Sequence, residues 1–348
     1  MSSGQHRLGG TQKASSTLCK STCFETETAI AKGERCMKIA ILGGGGAMGG
    51  IFGGYLARAG NDVTLIDVSK AAVTAINDSG LTIEEKDGSQ PVIKVLASDS
   101  PASVGPVDLI INFVKCYHTE EAVRAAAPMI AKETAVLSLQ NGWGNAPRIA
   151  SIVGEDRVLV GLTYHGGTLL APGRVKHPGS GMTYIGELTG KPTGRLGKVI
   201  DTFRAAQIET TQSERILDEV WKKLALNACT LPVAGLLQFM SHELVASDST
   251  KSLMAAILRE VVAVANAQGI ALDYDERWAA ITGLLEKAVG GKASMLQDVE
   301  AKRQTEIEVI NGAIVDAGKR TGVATPVNET MVWMIQAKQA HYLQAKVQ

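Results

Sequence analysis

The run Gly44-Gly45-Gly46-Ala47-Met48-Gly49 follows directly on the apolar stretch KIAIL and leads into IFGGYLA. A buried strand, a turn of glycines and a helix start leave few folds open to a chain. Glycines at G-x-G-x-x-G spacing close the turn, let backbone approach a bound group and let the helix pack hard on a sheet. The helix N-terminus then offers unpaired N–H groups to an anion. Gly44, Gly46, Ala47, Met48 and Gly49 are therefore expected to cradle the pyrophosphate of a dinucleotide. No Gly-Lys-Ser/Thr follows, which argues against a P-loop. Residues 39–57 carry no charge and are about long enough to cross a bilayer. Their glycines, at about 1 kcal/mol each relative to alanine, would fray such a helix, and Lys38 and Arg58 bracket it closely.

From Met37 onward, apolar strands alternate with helical stretches: KIAIL, a helix around Ile51 to Ala59, DVTLI, a helix from Ser69 to Asn77, VDLIINFV, a helix around Glu120 to Ile130, and TAVLSL. This alternation is the signature of βαβ units and a parallel sheet. VDLIINFV is almost continuously apolar, as a central strand covered on both faces should be. Residues 157–187 read as further strands with Gly/Pro turns, and Lys198 to Ala206 as one more helix. From about Ser213 long amphipathic helices take over, separated at Gly290-Gly291 and by the turn through Gly322 and Pro326. The fold class is α/β: a Rossmann-type parallel-sheet domain over 37–212, then an all-α domain over 213–348. Residues 1–36, Ser/Thr/Gly-rich and without periodicity, read as a disordered or tag-like extension.

Lys+Arg 35 balance Asp+Glu 35, so the chain lacks the basic excess of a nucleic-acid or anionic-membrane binder. Cys19, Cys23, Cys36, Cys116 and Cys229 are odd in number and irregular in spacing, which suits free thiols in a cytoplasmic protein. No His/Cys/carboxylate cluster has metal-ligand spacing, so no metal is expected. Asp67 ends the second strand about 20 residues beyond the first glycine, where a carboxylate can accept from adenosine ribose hydroxyls. Its charge would repel a 2′-phosphate, favouring NADH over NADPH; Lys70 nearby pulls the other way. A plain helix-cap role for Asp67 stays open beside this. His165 and His177 lie in loops without a partner serine or carboxylate pattern and read as ordinary polar histidines.

KIAILGGGGAMGGIFGGYLA, FVKCYHT, LQNGWGN, WKKLALN and SMLQDVEAKRQTEIEVINGAI lie in one order along the chain. Together they resemble the ketopantoate reductase (2-dehydropantoate 2-reductase) family, from Met37 to about Asn328. The resemblance implies a Rossmann domain joined to a helical domain of the 6-phosphogluconate-dehydrogenase-like type, with NADPH or NADH and a small 2-oxo acid in the cleft between them. The implied reaction is reduction to an (R)-2-hydroxy acid, with ketopantoate to (R)-pantoate in pantothenate biosynthesis as the leading case.

Lys223 matches the family's proton donor, and burial would lower its pKa towards neutrality. Asn227, at i+4, would share its space on a helix. Glu306 matches the acidic partner expected to hold the lysine or the substrate hydroxyl, and Ser294 a contact to the substrate carboxylate. Ser294-Met295-Leu296-Gln297 also reads as a capping box. Asp298 either faces the cleft or complements its helix dipole. Asn141 and Lys115 match residues near the cofactor and substrate, and both follow strands, where open parallel sheets bind ligands.

Three departures stand out: one extra glycine in the turn, Asp67 in place of a common basic residue, and Leu231-Pro232 where the family usually has Asn-Pro. They favour, as an alternative, an NAD-dependent D-2-hydroxy-acid dehydrogenase for apolar branched or aromatic substrates. A non-catalytic dinucleotide-sensing regulator is the other alternative, and retention of Lys223, Asn227, Ser294 and Glu306 counts against it. Monomer and homodimer both stay open, the apolar helical domain tilting towards a homodimer.

Overall fold

The computed structural model describes residues 36–345, so the expected extension, with Cys19 and Cys23, lies outside the described residues. The first part runs β1 (Lys38–Leu42), α1 (Ala47–Arg58), β2 (Asp62–Ile66), α2 (Lys70–Ser79), β3 (Leu81–Glu84), β4 (Val92–Ile93), β5 (Leu96–Ser98), β6 (Val107–Asn112), α3 (Thr119–Ala125), β7 (Ile130–Ser138) and α4 (Asn145–Val153). It continues with β8 (Val158–Thr163), β9 (Thr168–Ala171), β10 (Arg174–Lys176), β11 (Thr183–Glu187), α5 (Gly194–Ala205) and β12 (Thr210–Gln212). The second part is helical: α6 (Ile216–Leu237), α7 (Asp248–Ala267), α8 (Tyr274–Lys287), α9 (Ser294–Glu300), α10 (Asn311–Thr321) and α11 (Pro326–Gln344).

Eight strands form the main sheet in the order β12-β11-β8-β7-β6-β1-β2-β5. All neighbours are parallel except β11 and β8, which run antiparallel. Side chains on β1 alternate between two cores: Ile39 and Ile41 join Phe52, Leu65 and Ile111 on one face, and Ala40 and Leu42 join Ile66, Ile110 and Val136 on the other. Burial on both faces is why these strands read as continuous apolar runs. Residues 39–57 form a strand, a turn and a helix, and among the described residues no helix is long and apolar enough to cross a membrane.

β3 and β4, which follow β2, join β9 and β10, which lie between β8 and β11, in a second, four-stranded sheet in the order β4-β3-β10-β9. The sequence reading anticipated strands in 157–187 but not this separate sheet, and it passed over β3 to β5 altogether. Strands of two to four residues carry too few side chains to establish a period of two.

The helical part packs around α6, against which α7, α9 and α11 lie. Pro232 sits inside α6 and removes the N–H that would have bonded the carbonyl of Ala228. Asn311 Nδ2 donates to that freed carbonyl at 3.2 Å and to Asn328 Oδ1 at 3.0 Å, so the helix tolerates the proline in its core.

Candidate functional site

β1 has β2 on one side and β6 on the other, so the sheet order reverses there and a crevice opens beyond the carboxyl ends of these strands. In the turn that fills it, the amides of Gly43 and Gly44 donate to the Ile66 carbonyl at 2.9 and 3.0 Å. Gly46 closes back on the Gly43 carbonyl at 3.1 Å and is the N-cap of α1. A Cβ on Gly49 would lie 2.2 Å from that same carbonyl oxygen, so only glycine lets the helix sit this close to the strand. The first helical bond is Gly50 N–H to the Gly46 carbonyl, 2.9 Å. The amides of Ala47, Met48 and Gly49 precede it, with no side-chain cap and no acid in the first turn. This end of α1 fits the pyrophosphate of a dinucleotide.

Within the glycine run, Gly45 has a use of its own. Gly45 donates its N–H to Asp67 Oδ2 at 2.9 Å, while Asp67 Oδ1 accepts from Ser69 N–H at 2.9 Å. The helix-cap reading of Asp67 is corrected: Ser69 is the N-cap of α2, accepting from Ala72 N–H at 3.3 Å. Asp67 instead ties the end of β2 to the glycine turn, and each of its oxygens keeps a lone pair free for a sugar hydroxyl.

Lys223 projects from α6 between the two parts of the fold. Its Nζ donates to Asn141 Oδ1 at 2.9 Å and to the Thr163 carbonyl at 2.8 Å. Burial lowers its pKa to about 8, with the Glu306 carboxylate pulling partly back. Two N–H directions are thus fixed by acceptors, and the third is left for a ligand oxygen. Asn141 is itself placed by its loop: its carbonyl accepts from Asn145 Nδ2 at 3.0 Å, and Trp143 N–H donates to the Val309 carbonyl at 2.8 Å. Gly142, at φ 81°, passes so close to Val309 that a Cβ would stand 2.2 Å from its carbonyl oxygen.

Glu306 was expected to hold Lys223 or the substrate hydroxyl, and its direct partners in the structure are Lys115 and Cys116. Lys115 Nζ bridges Asp298 Oδ2 at 2.7 Å and Glu306 Oε2 at 3.2 Å, and Cys116 N–H donates to Glu306 Oε1 at 3.2 Å. Asp298 Oδ1 also pairs with Arg303 at 3.0 Å. Both carboxylates are nearly fully buried. Burial alone would lower the pKa of Lys115, but Glu306 and Asp298 outweigh it and hold the ammonium above its ordinary range. Lys115, expected near the cofactor and substrate, lies in an ion cluster that joins the stretch after β6 to α9 and to the segment that follows it. Asp298 is the fifth residue of α9, beyond the first turn, so the dipole reading fails and the buried ion pair replaces it.

The capping-box reading of Ser294 is also corrected. Ala293 is the N-cap of α9 and no side chain caps it, so the Ser294 hydroxyl, part-exposed, is without a partner among the described residues. Asn227 is buried one turn after Lys223, and its amide likewise makes no hydrogen bond among the described residues. Leu231, one turn further, is buried in the helical core. Sequence reasoning missed Thr163 and Arg303. Arg303 stood within the quoted motif as an unremarked basic residue; Thr163 could have been found only from its place at the carboxyl end of β8. His165 and His177, read as isolated, are bonded to each other at 3.0 Å.

Known proteins resemble the chain along nearly all of its described length. The model of the family described as "Ketopantoate reductase PanE/ApbA" matches residues 39–190, and that of its C-terminal domain matches residues 215–339. A 2-dehydropantoate 2-reductase of Pyrococcus abyssi is 36% identical over 305 residues, 87% of this chain and 98% of that protein. One from Halobacterium salinarum is 31% identical over 301 residues, 86% and 98% of the two chains. Among solved structures, a PanE/ApbA family ketopantoate reductase from Ralstonia eutropha superposes with a TM-score of 0.81 at 31% identity, over 88% of this chain and 100% of that one. A D-mandelate dehydrogenase solved with NADH and anilino(oxo)acetate gives 0.82 at 31% identity, over 88% and 99%.

Proposed function

The chain belongs to the ketopantoate reductase family, and from that premise we propose that it reduces 2-dehydropantoate (ketopantoate) to (R)-pantoate with NADH in preference to NADPH. The observation that carries this reading is Lys223, whose ammonium is held by two carbonyl oxygens and whose pKa is lowered to about 8. A nicotinamide dinucleotide, when bound, would supply the hydride that the ketone carbon takes up. As that carbon is reduced, the carbonyl oxygen gains charge and takes the proton from Lys223, so the chain neutralises an alkoxide without releasing it to water. Solvent returns a proton to the amine afterwards. The Asn141 and Thr163 oxygens aim the remaining N–H of Lys223. The unpartnered amide of Asn227 and hydroxyl of Ser294 are available for the substrate's polar groups. Glu306, fixed by Lys115 and the Cys116 amide, keeps Lys223 protonated against the pull of burial.

Asp67 supports NADH. A 2′-phosphate would approach a carboxylate already bonded on both oxygens, with no arginine bonded to it among the described residues.

A second reading rests on Leu231, an apolar side chain on the face of α6 that carries Lys223 and Asn227, together with the likeness to a D-mandelate dehydrogenase. It makes the substrate an apolar branched or aromatic 2-oxo acid. The deciding experiment follows loss of reduced-nicotinamide absorbance with ketopantoate, phenylglyoxylate and branched 2-oxo acids, each with NADH and NADPH. Highest kcat/KM for ketopantoate is the expected result. A preference for phenylglyoxylate would transfer the assignment to the second reading, and cofactor binding without turnover of any 2-oxo acid would leave only the regulator.

A further inference from the structure

Behind the lysine runs a buried chain of hydrogen bonds that the reaction does not use directly. His165 lies two residues after β8, and its Nδ1 meets His177 Nε2 at 3.0 Å, with the ring planes 10° apart. His177 Nδ1 lies 2.6 Å from the Tyr55 hydroxyl of α1 and 3.3 Å from Glu85 Oε2. The Tyr55 hydroxyl reaches both oxygens of Glu85, at 2.9 and 2.7 Å, and Arg58 stands 3.8 Å from that carboxylate. Both histidines are over nine-tenths buried.

The charge at the outer end sets the protons along the chain. An ionised Glu85 only accepts, so the Tyr55 O–H and the His177 Nδ1–H point towards it. His177 Nε2 is then an acceptor and takes the proton of His165 Nδ1. That assignment leaves His165 Nε2 as a bare lone pair, and it is the nitrogen that is buried with no hydrogen-bond partner. Burial, followed by the charge of His177, lowers the pKa of His165 to about 4, with the Gly181 backbone acting in the opposite direction. His165 is therefore neutral at working pH.

What this pair holds is the turn leaving β8. His165 N–H donates to Thr163 Oγ1 at 3.2 Å, and Thr183 Oγ1 donates to the same oxygen at 2.9 Å. The carbonyl of that threonine carries Lys223. Two residues past His165, Gly167 lies against the first turn of α1, where a Cβ would come within 3.0 Å of Met48 Sδ and 3.3 Å of Ala47 Cβ. Phe52, also on α1, meets the His165 ring edge-on at 5.2 Å.

We propose that His165 and His177 are positioning residues for the reaction: anchored by Tyr55 and Glu85, they hold the Thr163–Gly167 turn so that one carbonyl aims Lys223 while the turn's far end braces the cofactor-binding end of α1. The inference rests on the reading of Lys223 as proton donor, and its test needs a readout that survives if the substrate assignment fails. The groups that act on Lys223 are Asn141, the Thr163 carbonyl and Glu306; those that act on His165 are His177, Gly181 and, through the chain, Tyr55, Glu85 and Arg58.

In His165→Leu the turn loses its anchor, the Thr163 carbonyl withdraws, and the ammonium loses one of the acceptors that favour its charged form. The Lys223 pKa, followed by NMR of lysine-labelled protein, should fall by roughly half a unit or more. With the best 2-oxo acid, kcat should fall about tenfold or more. His165→Asn places an amide where Nδ1 stood and should restore both readouts towards wild type. A folded H165L whose Lys223 pKa is unchanged or raised overturns the proposal, as does an H165N no better than H165L. Should H165L not fold, Glu85→Gln removes the anchoring charge at the partly exposed end and should move the Lys223 pKa in the same direction; no movement there also overturns it. The NMR readout needs no turnover, so inactivity towards ketopantoate would count against the proposed function and leave this test standing.

Discussion

Lys223 is useful because it is awkwardly placed. An ammonium in water has a pKa too high to give up its proton readily near neutrality, and burial brings this one down to about 8. Two fixed acceptors keep it from wandering and leave one N–H for another oxygen, in the proposed reaction that of the substrate's carbonyl. As a general acid it is competent when protonated, so activity in the reducing direction should hold below about pH 8 and decline as pH rises through that value. Lys223→Ala should lower kcat by about 100-fold or more and leave NADH affinity nearly unchanged, measured by fluorescence titration beside steady-state kinetics. Wild-type turnover in K223A would remove the residue from the mechanism. Lys223 and Asn141 were legible from their motifs, whereas Thr163 contributes a backbone carbonyl, a group every residue has and no sequence marks. Asp67 was legible as an acid at a strand end, but its bond to Gly45 depends on a turn whose register the four consecutive glycines leave ambiguous.

At the scale of elements, the site is made by loops pressed onto one another rather than by helices meeting face to face. The loop after β7 lies on the short turn after Glu306 because residue 142 is glycine: its φ is 81°, and any Cβ would meet the Val309 carbonyl at 2.2 Å. Gly142→Ala should therefore lift the loop off Val309, strain its backbone by about 1–2 kcal/mol and carry Asn141 away from Lys223. A drop in kcat of about tenfold with a modest fall in Tm is expected; a variant matching wild type in both would mean the loop adapts without moving Asn141. β1 and β6 could be read from their unbroken apolar runs, and the helical part from the amphipathic stretches after about Ser213. The small sheet could not, since β4 is two residues long and β10, the partner of β3, arrives from far along the sequence. Ser294 misled for a different reason: the Ser-x-x-Gln pattern fits a cap, but the helix starts on Ser294 itself and the expected cap position falls to Ala293.

Across the whole molecule, the sheet and the helical part meet over charge as well as apolar packing. Lys115, at the end of β6, reaches Asp298 and Glu306 beyond the helical core, and Arg303 supports Asp298 from the other side. Two buried carboxylates facing one another are stable only while that ammonium sits between them. Lys115→Met keeps the length of the side chain and removes its charge, leaving Glu306 with the Cys116 amide and Asp298 with Arg303. The lysine is itself about one-third exposed, so water would cover part of the loss, and the destabilisation should be about 2 kcal/mol rather than the larger cost of a fully enclosed pair. The loss is read as a drop in the unfolding free energy of K115M against wild type in urea. Equal stability of variant and wild type would mean that apolar packing alone holds the junction, and the cluster would then matter only through the charge that Glu306 presents to Lys223.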